Sequence, residues 1–544
     1  MTRDGRREYA LLVPGLIVFT YGLLLHYRLC PAVSSTGGYL QDFATGDEGK
    51  LFERTLAQTY YPPLYYAFHA VVGRVLGYDY LRAVFACALF VVGGAVYLTA
   101  LARRLGFGTL SFVPGTALLL LPGTFLASRV FAIEMPLILC LPAFAFHLVA
   151  CRGFGERRHS IYAGLWAGLG LLTKWTFPAY LPGAVVLALA AGSGPAGRPA
   201  ARRRGRNAVL LAATAAAVAG WWYLGRMRWD LWVASAGNDP TRVNPSFALS
   251  LRDLLAGLGR LAGGRFVWLP GVFVVVGIII ARRPLATAAG IAAALLLPVM
   301  LLAVPVHNET RYLLPLLPAV AMALGVVAHR ARWPMARAVM SAALVAMTAY
   351  LHFAAWPLFC DPAVQQPPLD VCPPTQASAV ARYLTGLVGT GKGKAGLGVH
   401  PFFQNVHANP EYLGYYLRRD GAIARFDFPR YGWASYGSFH DDLRTGRFAV
   451  IVADCGPRND CAERPDESVE IMLRARSKSR GINQNTGETS PDFSWDDVRD
   501  DWAWLAARFE PRFTLPLDDG TTTRVWVRRD FVPGARPAGP GPAR

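Results

Sequence analysis

Lysine is almost missing from this chain of 544 residues: there are five, against 50 arginines. Charge as a whole is scarce, at 17% of residues, where a soluble domain carries about 25%. Eight cysteines are too few for a disulfide scaffold in a chain this long. No Walker loop, Ser-His-Asp pattern or His-rich metal motif occurs, so those routes to catalysis have no support in the residues. What is abundant is apolar: 53% of residues are hydrophobic and the mean hydropathy is +0.28. Runs such as 118–121, 274–280 and 295–303 sit inside long apolar windows. A soluble enzyme and a disordered chain are excluded. The chain reads as a polytopic α-helical membrane protein. Its Arg, Ala and Gly load points to a GC-rich bacterial genome.

The charge divides the chain in two. Residues from Asp361 to Arg544 hold 23 basic and 23 acidic groups, whereas the first 360 hold 32 basic and 13 acidic ones. The whole +19 excess therefore belongs to the apolar part. On a soluble protein such an excess would point to nucleic acid. Here much of it lies in short loops, where it sets orientation, and no nucleic-acid partner is expected. A span needs about 20 apolar residues. About eleven are read, near 8–27, 81–102, 107–127, 131–150, 160–177, 178–194, 207–225, 266–281, 285–304, 312–329 and 338–357. With the N-terminus in the cytoplasm, 18 of the 32 basic residues fall in inside loops and 10 of the 13 acidic residues fall outside. Every inside loop is then net positive. The outer loop 226–265 fits least well, with six Arg against three Asp. The expected location is a bacterial inner membrane, with the N-terminus cytoplasmic and the C-terminal part extracytoplasmic.

The first apolar stretch runs into His26-Tyr27-Arg28 without a small-residue cleavage site, so it reads as a span and not a cleaved signal. The segment 64–76 is apolar but short, and it holds His69 and Arg74. Counting it as a span would invert every later loop, so it reads as a helix lying on the outer surface. The expected division is a membrane domain over 1–358 with a long first outer loop at 29–80, an extracytoplasmic α/β domain over 359–532, and a Pro/Gly/Ala-rich disordered end at 533–544. In that tail 448–453 and 523–528 read as strands, and 378–387 and 495–509 as helices. Cys360 with Cys372, and Cys455 with Cys461, are expected as two local disulfides in an oxidising compartment. Neither pair has zinc-ligand spacing.

Ionisable residues at membrane depth are costly and mark functional sites by default. The loop arginines place the candidates on one side. Asp47-Glu48 and Lys50 lie in the first outer loop, and Glu134 sits at the outer start of the fourth span, after Arg129. Lys174 ends the fifth span at its outer side, and His307, Glu309 and Arg311 precede the tenth. Each has a plainer reading. Asp47-Glu48 fits a solvated acid pair, and Glu134 a helix N-terminal carboxylate favoured by the dipole. Lys174 fits a snorkelling lysine and Arg311 an interfacial anchor. His69, His147 and His352 read as packing residues.

Four elements in order carry a resemblance. Asp47-Glu48-Gly-Lys50 precedes Tyr61-Pro-Pro-Leu-Tyr65-Tyr66; the acid Glu134 follows; then come Gly168-Leu-Gly-Leu-Leu-Thr-Lys174 and Arg311-Tyr-Leu-Leu-Pro-Leu-Leu-Pro318. Together they resemble the GT-C membrane glycosyltransferases, most closely the group of protein O-mannosyltransferases and lipid A aminoarabinose transferases. The resemblance covers about residues 8–356. It departs at Tyr60-Tyr61, where the aminoarabinose enzymes carry a Glu-Lys pair. It implies transfer of a hexose or pentose from a polyprenyl-phosphate carrier to an acceptor hydroxyl on the extracytoplasmic face, with inversion. It makes Asp47 the general base, with Glu48 and Glu134 as the other acids of the site. Lys174 and Arg311, then Lys50 and Arg129, become candidates for the donor phosphate, and Tyr61, Tyr65 and His307 for acceptor or loop support. No cofactor is called for with certainty. A divalent cation, if one is used, would sit at Asp47 and Glu134. The acceptor stays open between lipid, glycan and protein. Two other classes compete. A transporter or flippase of lipid-linked sugars should show internal repeats, and none is seen between 1–180 and 180–358. A non-catalytic scaffold displaying the tail has no need of outer-facing Asp47, Glu134 and Lys174.

Overall fold

The computed structural model of the chain describes residues 9–29, 62–77, 80–129, 132–191, 201–227, 247–266, 268–280, 286–303, 310–331, 333–354, 375–388, 397–401, 426–427, 450–455, 504, 507–516 and 522–531. Helices dominate it. In order they are α1 (Val13–Leu29), α2 (Leu64–Leu76), α3 (Tyr80–Arg104), α4 (Phe112–Leu120), α5 (Pro122–Arg129), α6 (Met135–Ala150), α7 (Arg157–Leu171), α8 (Leu181–Ala191), α9 (Ala201–Gly225), α10 (Phe247–Gly263), α11 (Trp268–Ile280), α12 (Ala286–Ala303), α13 (Leu317–His329), α14 (Pro334–Ala354) and α15 (Thr375–Val388). Among the described residues, four helical stretches are long and apolar enough to cross a membrane: Val84–Arg104, Arg202–Gly225, Tyr312–His329 and Pro334–Ala354. The bent pair Ser250–Gly263 and Trp268–Val276 makes five if it is one span. Several of the expected spans are shorter apolar helices, such as Met135–Ala150 and Phe177–Ala191. The protein is a multi-pass membrane protein.

Four details differ from the sequence reading, each for a local reason. The stretch 107–127 is not one helix. Pro122 has no N–H to continue the ladder, so α4 ends at Leu120 and α5 restarts beyond an extended Leu121. The fifth span ends at Leu171, which leaves Lys174 in a turn past the helix. The loop 226–265 contains a helix, α10. Its Leu254, Leu258 and Leu261 are buried at helical spacing, and with Trp268–Val276 it makes a bent pair apolar enough for one span. In the tail, Phe509 opens a strand and does not close a helix. The segment 64–76 is a helix as read, and Gly77 ends it with φ +85°, a conformation that glycine adopts without strain.

The helices that frame the site pack closely because small residues line their contacts. A Cβ on Gly164 of α7 would lie 2.4 Å from the Leu211 carbonyl of α9, and one on Gly168 would lie 2.6 Å from the Val218 Cβ. These glycines let the two backbones touch, as small-residue spacing does in membrane helices. Gly168→Leu is therefore expected to lower thermal stability by about 3 kcal/mol or more, since the intruding side chain meets backbone and a β-branched neighbour. Gly205 of α9 has nothing within 4 Å, so Gly205→Ala should hold or raise it. A thermal-shift assay on detergent-solubilised protein compares the two.

Among the described residues, the tail forms a five-stranded sheet, in the order β2-β1-β3-β5-β4, from β1 (Leu397–Pro401), β2 (Phe426–Asp427), β3 (Val450–Cys455), β4 (Phe509–Pro516) and β5 (Thr522–Arg528). β1 runs parallel to β2 and β3, and β5 is antiparallel to β3 and β4. Val525, Trp526 and Val527 of the internal strand β5 are all buried, so both faces of the sheet are covered there. Tyr383 of α15 stacks on Phe513 of β4 at 4.6 Å between ring centroids.

Candidate active site

The last turn of α7 shows why its sequence reads Gly168-Leu-Gly-Leu-Leu-Thr-Lys174. A helix C-terminus leaves carbonyls without intrahelical partners. Here each finds one. The Thr173 hydroxyl donates to the Leu169 carbonyl at 3.0 Å. The amides of Thr173 and Lys174 both donate to Gly170, at 3.1 and 3.2 Å. The Tyr223 hydroxyl of α9 donates to Leu171 at 2.9 Å. The Leu64 amide, at the start of α2, donates to Leu172 at 2.9 Å. That last bond ties the Pro62-Pro63-Leu64 element to the lysine turn. Gly170 is required for its lack of a side chain, because a Cβ there would lie 2.4 Å from the Phe177 ring.

Lys174 emerges from this turn into a buried ion pair with Glu134. Neither side chain is more than 1% exposed. Glu134 stands at the N-terminus of α6, where the helix dipole favours a carboxylate. Its carbonyl accepts the Leu137 amide at 2.9 Å, and Pro136 in the first turn has no amide to leave orphaned. The Lys174 ammonium lies 4.2 Å from the centroid of the Tyr312 ring. Stripping two charges of water costs several kcal/mol each unless geometry and further contacts offset it. The ring supplies one such contact, of about 2 kcal/mol when desolvated. Tyr312 belongs to a 3₁₀ turn, Thr310–Leu316, that leads into α13. A second 3₁₀ turn, Phe177–Tyr180, follows Lys174, and the Tyr180 hydroxyl donates to the Tyr312 carbonyl at 2.6 Å.

Three of the four elements singled out in the sequence thus meet at one ion pair, and the Pro-Pro-Leu end of the remaining one is bonded to the lysine turn. Asp47, Glu48, Lys50, Tyr61, His307, Cys360, Cys372 and Cys461 lie outside the described residues. For Arg129, Arg311 and Cys455 the described part is the backbone, in α5, the 310–316 turn and β3. Tyr65 is buried between α2 and α3, edge-on to His69 at 4.5 Å, with its hydroxyl 3.8 Å from the Cys87 sulfur. His69, His147 and His352 are buried as well, among aromatic rings. Tyr180, Tyr312 and Tyr223 are the site residues that sequence reasoning missed. Tyr312 had a signal, since it sits inside the Arg311-Tyr312 element. The other two had none. Among the described residues no three His, Cys, Asp or Glu side chains cluster to hold a metal. Among the described residues, the Glu134 carboxylate meets the Lys174 ammonium through Oε1.

The family model described as dolichyl-phosphate-mannose-protein mannosyltransferase matches residues 61–223, which takes in the Pro-Pro-Leu, Glu134 and Lys174 elements. The likeness to the GT-C membrane glycosyltransferases holds. Two solved structures share the fold of this chain. One is ArnT from Cupriavidus metallidurans in the apo state, 15% identical, with a TM-score of 0.51 over 82% of this chain and 93% of that one. The other is the same organism's ArnT bound to undecaprenyl phosphate, 14% identical, with a TM-score of 0.52 over 96% of this chain and 98% of that one. No curated protein matches the chain in a sequence comparison.

Proposed function

We propose that the chain is a membrane glycosyltransferase that moves a sugar from a polyprenyl-phosphate carrier to an acceptor hydroxyl, on the extracytoplasmic face and with inversion. The observation that carries this reading is the convergence of the Glu134, Lys174 and Arg311-Tyr312 elements on one buried charged site, with the first-loop element bonded to it. A fold shared with a protein that binds undecaprenyl phosphate supports the choice of donor. In the reaction the acceptor oxygen attacks the anomeric carbon, and its proton passes to the Asp47 carboxylate. The bond from that carbon to the phosphate oxygen breaks, and polyprenyl phosphate leaves with an added negative charge. Lys174 and Arg311 neutralise that charge, with Lys50 and Arg129 as further cations. A single displacement inverts the anomeric centre. The tail is extracytoplasmic in this reading.

The test is transfer of labelled sugar by the purified protein in proteoliposomes, supplied with polyprenyl-phosphate hexoses and pentoses. Label should appear on an acceptor with release of polyprenyl phosphate. Movement of intact donor across the bilayer without transfer would make the protein a transporter.

A further inference from the structure

Lys174 is held within a closed circuit of contacts. Its own carbonyl accepts the Phe177 amide at 3.1 Å, which starts the 177–180 turn. That turn ends in Tyr180, which is 1% exposed and whose hydroxyl donates to the Tyr312 carbonyl at 2.6 Å. The Tyr312 ring, 6% exposed, then returns to the Lys174 ammonium at 4.2 Å. Each of the two turns contains a proline, Pro178 and Pro315, which fixes φ and stiffens the turn. We propose that Tyr180 is a positioning residue for Lys174: its hydroxyl locks the 310–316 turn so that the Tyr312 ring stays over the ammonium. This rests on the glycosyltransferase reading for its purpose, namely a lysine placed for a polyprenyl phosphate, but not for its geometry.

The physical reason is the nature of lysine. An ammonium on four flexible carbons is a point charge that many rotamers can carry away from a ligand, unlike the planar fork of arginine. Setting its position requires walls, and the Tyr312 ring is one. A ring can be a wall only if its backbone is fixed, and the Tyr180 hydroxyl fixes it from a neighbouring turn. The same bond orders the backbone of Arg311, one residue before Tyr312.

The experiment uses the full chain in detergent micelles and two readouts. The first is the rate at which an amine-specific reagent modifies Lys174, measured by mass spectrometry; the other four lysines serve as references. The second is the Kd for undecaprenyl phosphate. Tyr180→Phe should raise the Lys174 labelling rate and weaken the Kd, each about tenfold, the factor that one buried hydrogen bond of ordinary strength is worth. Tyr312→Leu removes the ring and should reproduce Tyr180→Phe. Because Tyr180 acts through Tyr312, the Tyr180→Phe/Tyr312→Leu double variant should be no worse than Tyr312→Leu alone. Wild-type values for Tyr180→Phe, or fully additive losses in the double variant, overturn the proposal. If Tyr180→Phe does not fold, Tyr312→Leu decides: continued protection of Lys174 overturns the proposal, and exposure upholds it. A protein that transfers no sugar yet shows this labelling pattern would retain the positioning role while losing the glycosyltransferase reading.

Discussion

Replacing Asp47 with asparagine should leave a protein that reaches the membrane in normal amounts, still binds the donor, and turns over about 10²- to 10⁴-fold more slowly, the usual cost of losing a positioned general base. The amide has nearly the size and shape of the carboxylate but cannot take the acceptor proton. The defect should therefore fall on the chemical step while binding is kept. Glu48→Gln, one residue along, should be milder, because the resemblance gives the proton-accepting role to the first acid of the pair. Steady-state transfer of a labelled sugar, with donor binding measured separately, checks both variants. Near-normal turnover in Asp47→Asn alongside an inactive Glu48→Gln or Glu134→Gln would move the base to another carboxylate.

The parts of this site that were legible in the sequence are those tied to charge and to short-range pattern. Arginines in the loops put Glu134 and Lys174 on one side of the membrane before any contact was known. Forty residues apart, they prove to be in contact. The element from Gly168 to Lys174 was legible as a motif but not as a mechanism. Its physical meaning is a helix end whose carbonyls are shared out among Thr173, Tyr223 and Leu64. Nothing in the local sequence of Tyr180 marks it, because its partner is 132 residues away and a tyrosine between two spans is unremarkable. The helix α10 was missed for the opposite reason. Arg252, Asp253 and Arg260 interrupt its apolar residues, so 226–265 reads as a loop until its buried Leu254, Leu258 and Leu261 show one face of a helix. The break at Leu121-Pro122 was written plainly in the residues, since proline cannot donate the bond that would continue α4.

The Glu134–Lys174 pair allows stability and activity to be separated. Both side chains are essentially sealed from solvent, so removing one partner leaves the other's charge buried without its counter-ion across the pair. Lys174→Met removes the ammonium that meets the Glu134 carboxylate, and it should cost about 3–5 kcal/mol of stability, the range found when one half of a buried pair is deleted. Glu134→Gln is gentler, because the amide oxygen can still accept a hydrogen bond from the ammonium. The informative variant is the double one. Glu134→Gln with Lys174→Met removes both charges of the pair, and a neutral replacement of a buried pair is often close to neutral in stability. The double variant should therefore be markedly more stable than Lys174→Met alone, by a thermal-shift assay or by the fraction that survives extraction as a single species. It should nonetheless transfer sugar at least about 10²-fold more slowly than wild type, because the cation that meets the departing phosphate is gone. Recovery of both stability and turnover in the double variant would reduce the pair to a structural tie between α6 and the end of α7, and would leave Arg311 and the first loop to hold the donor.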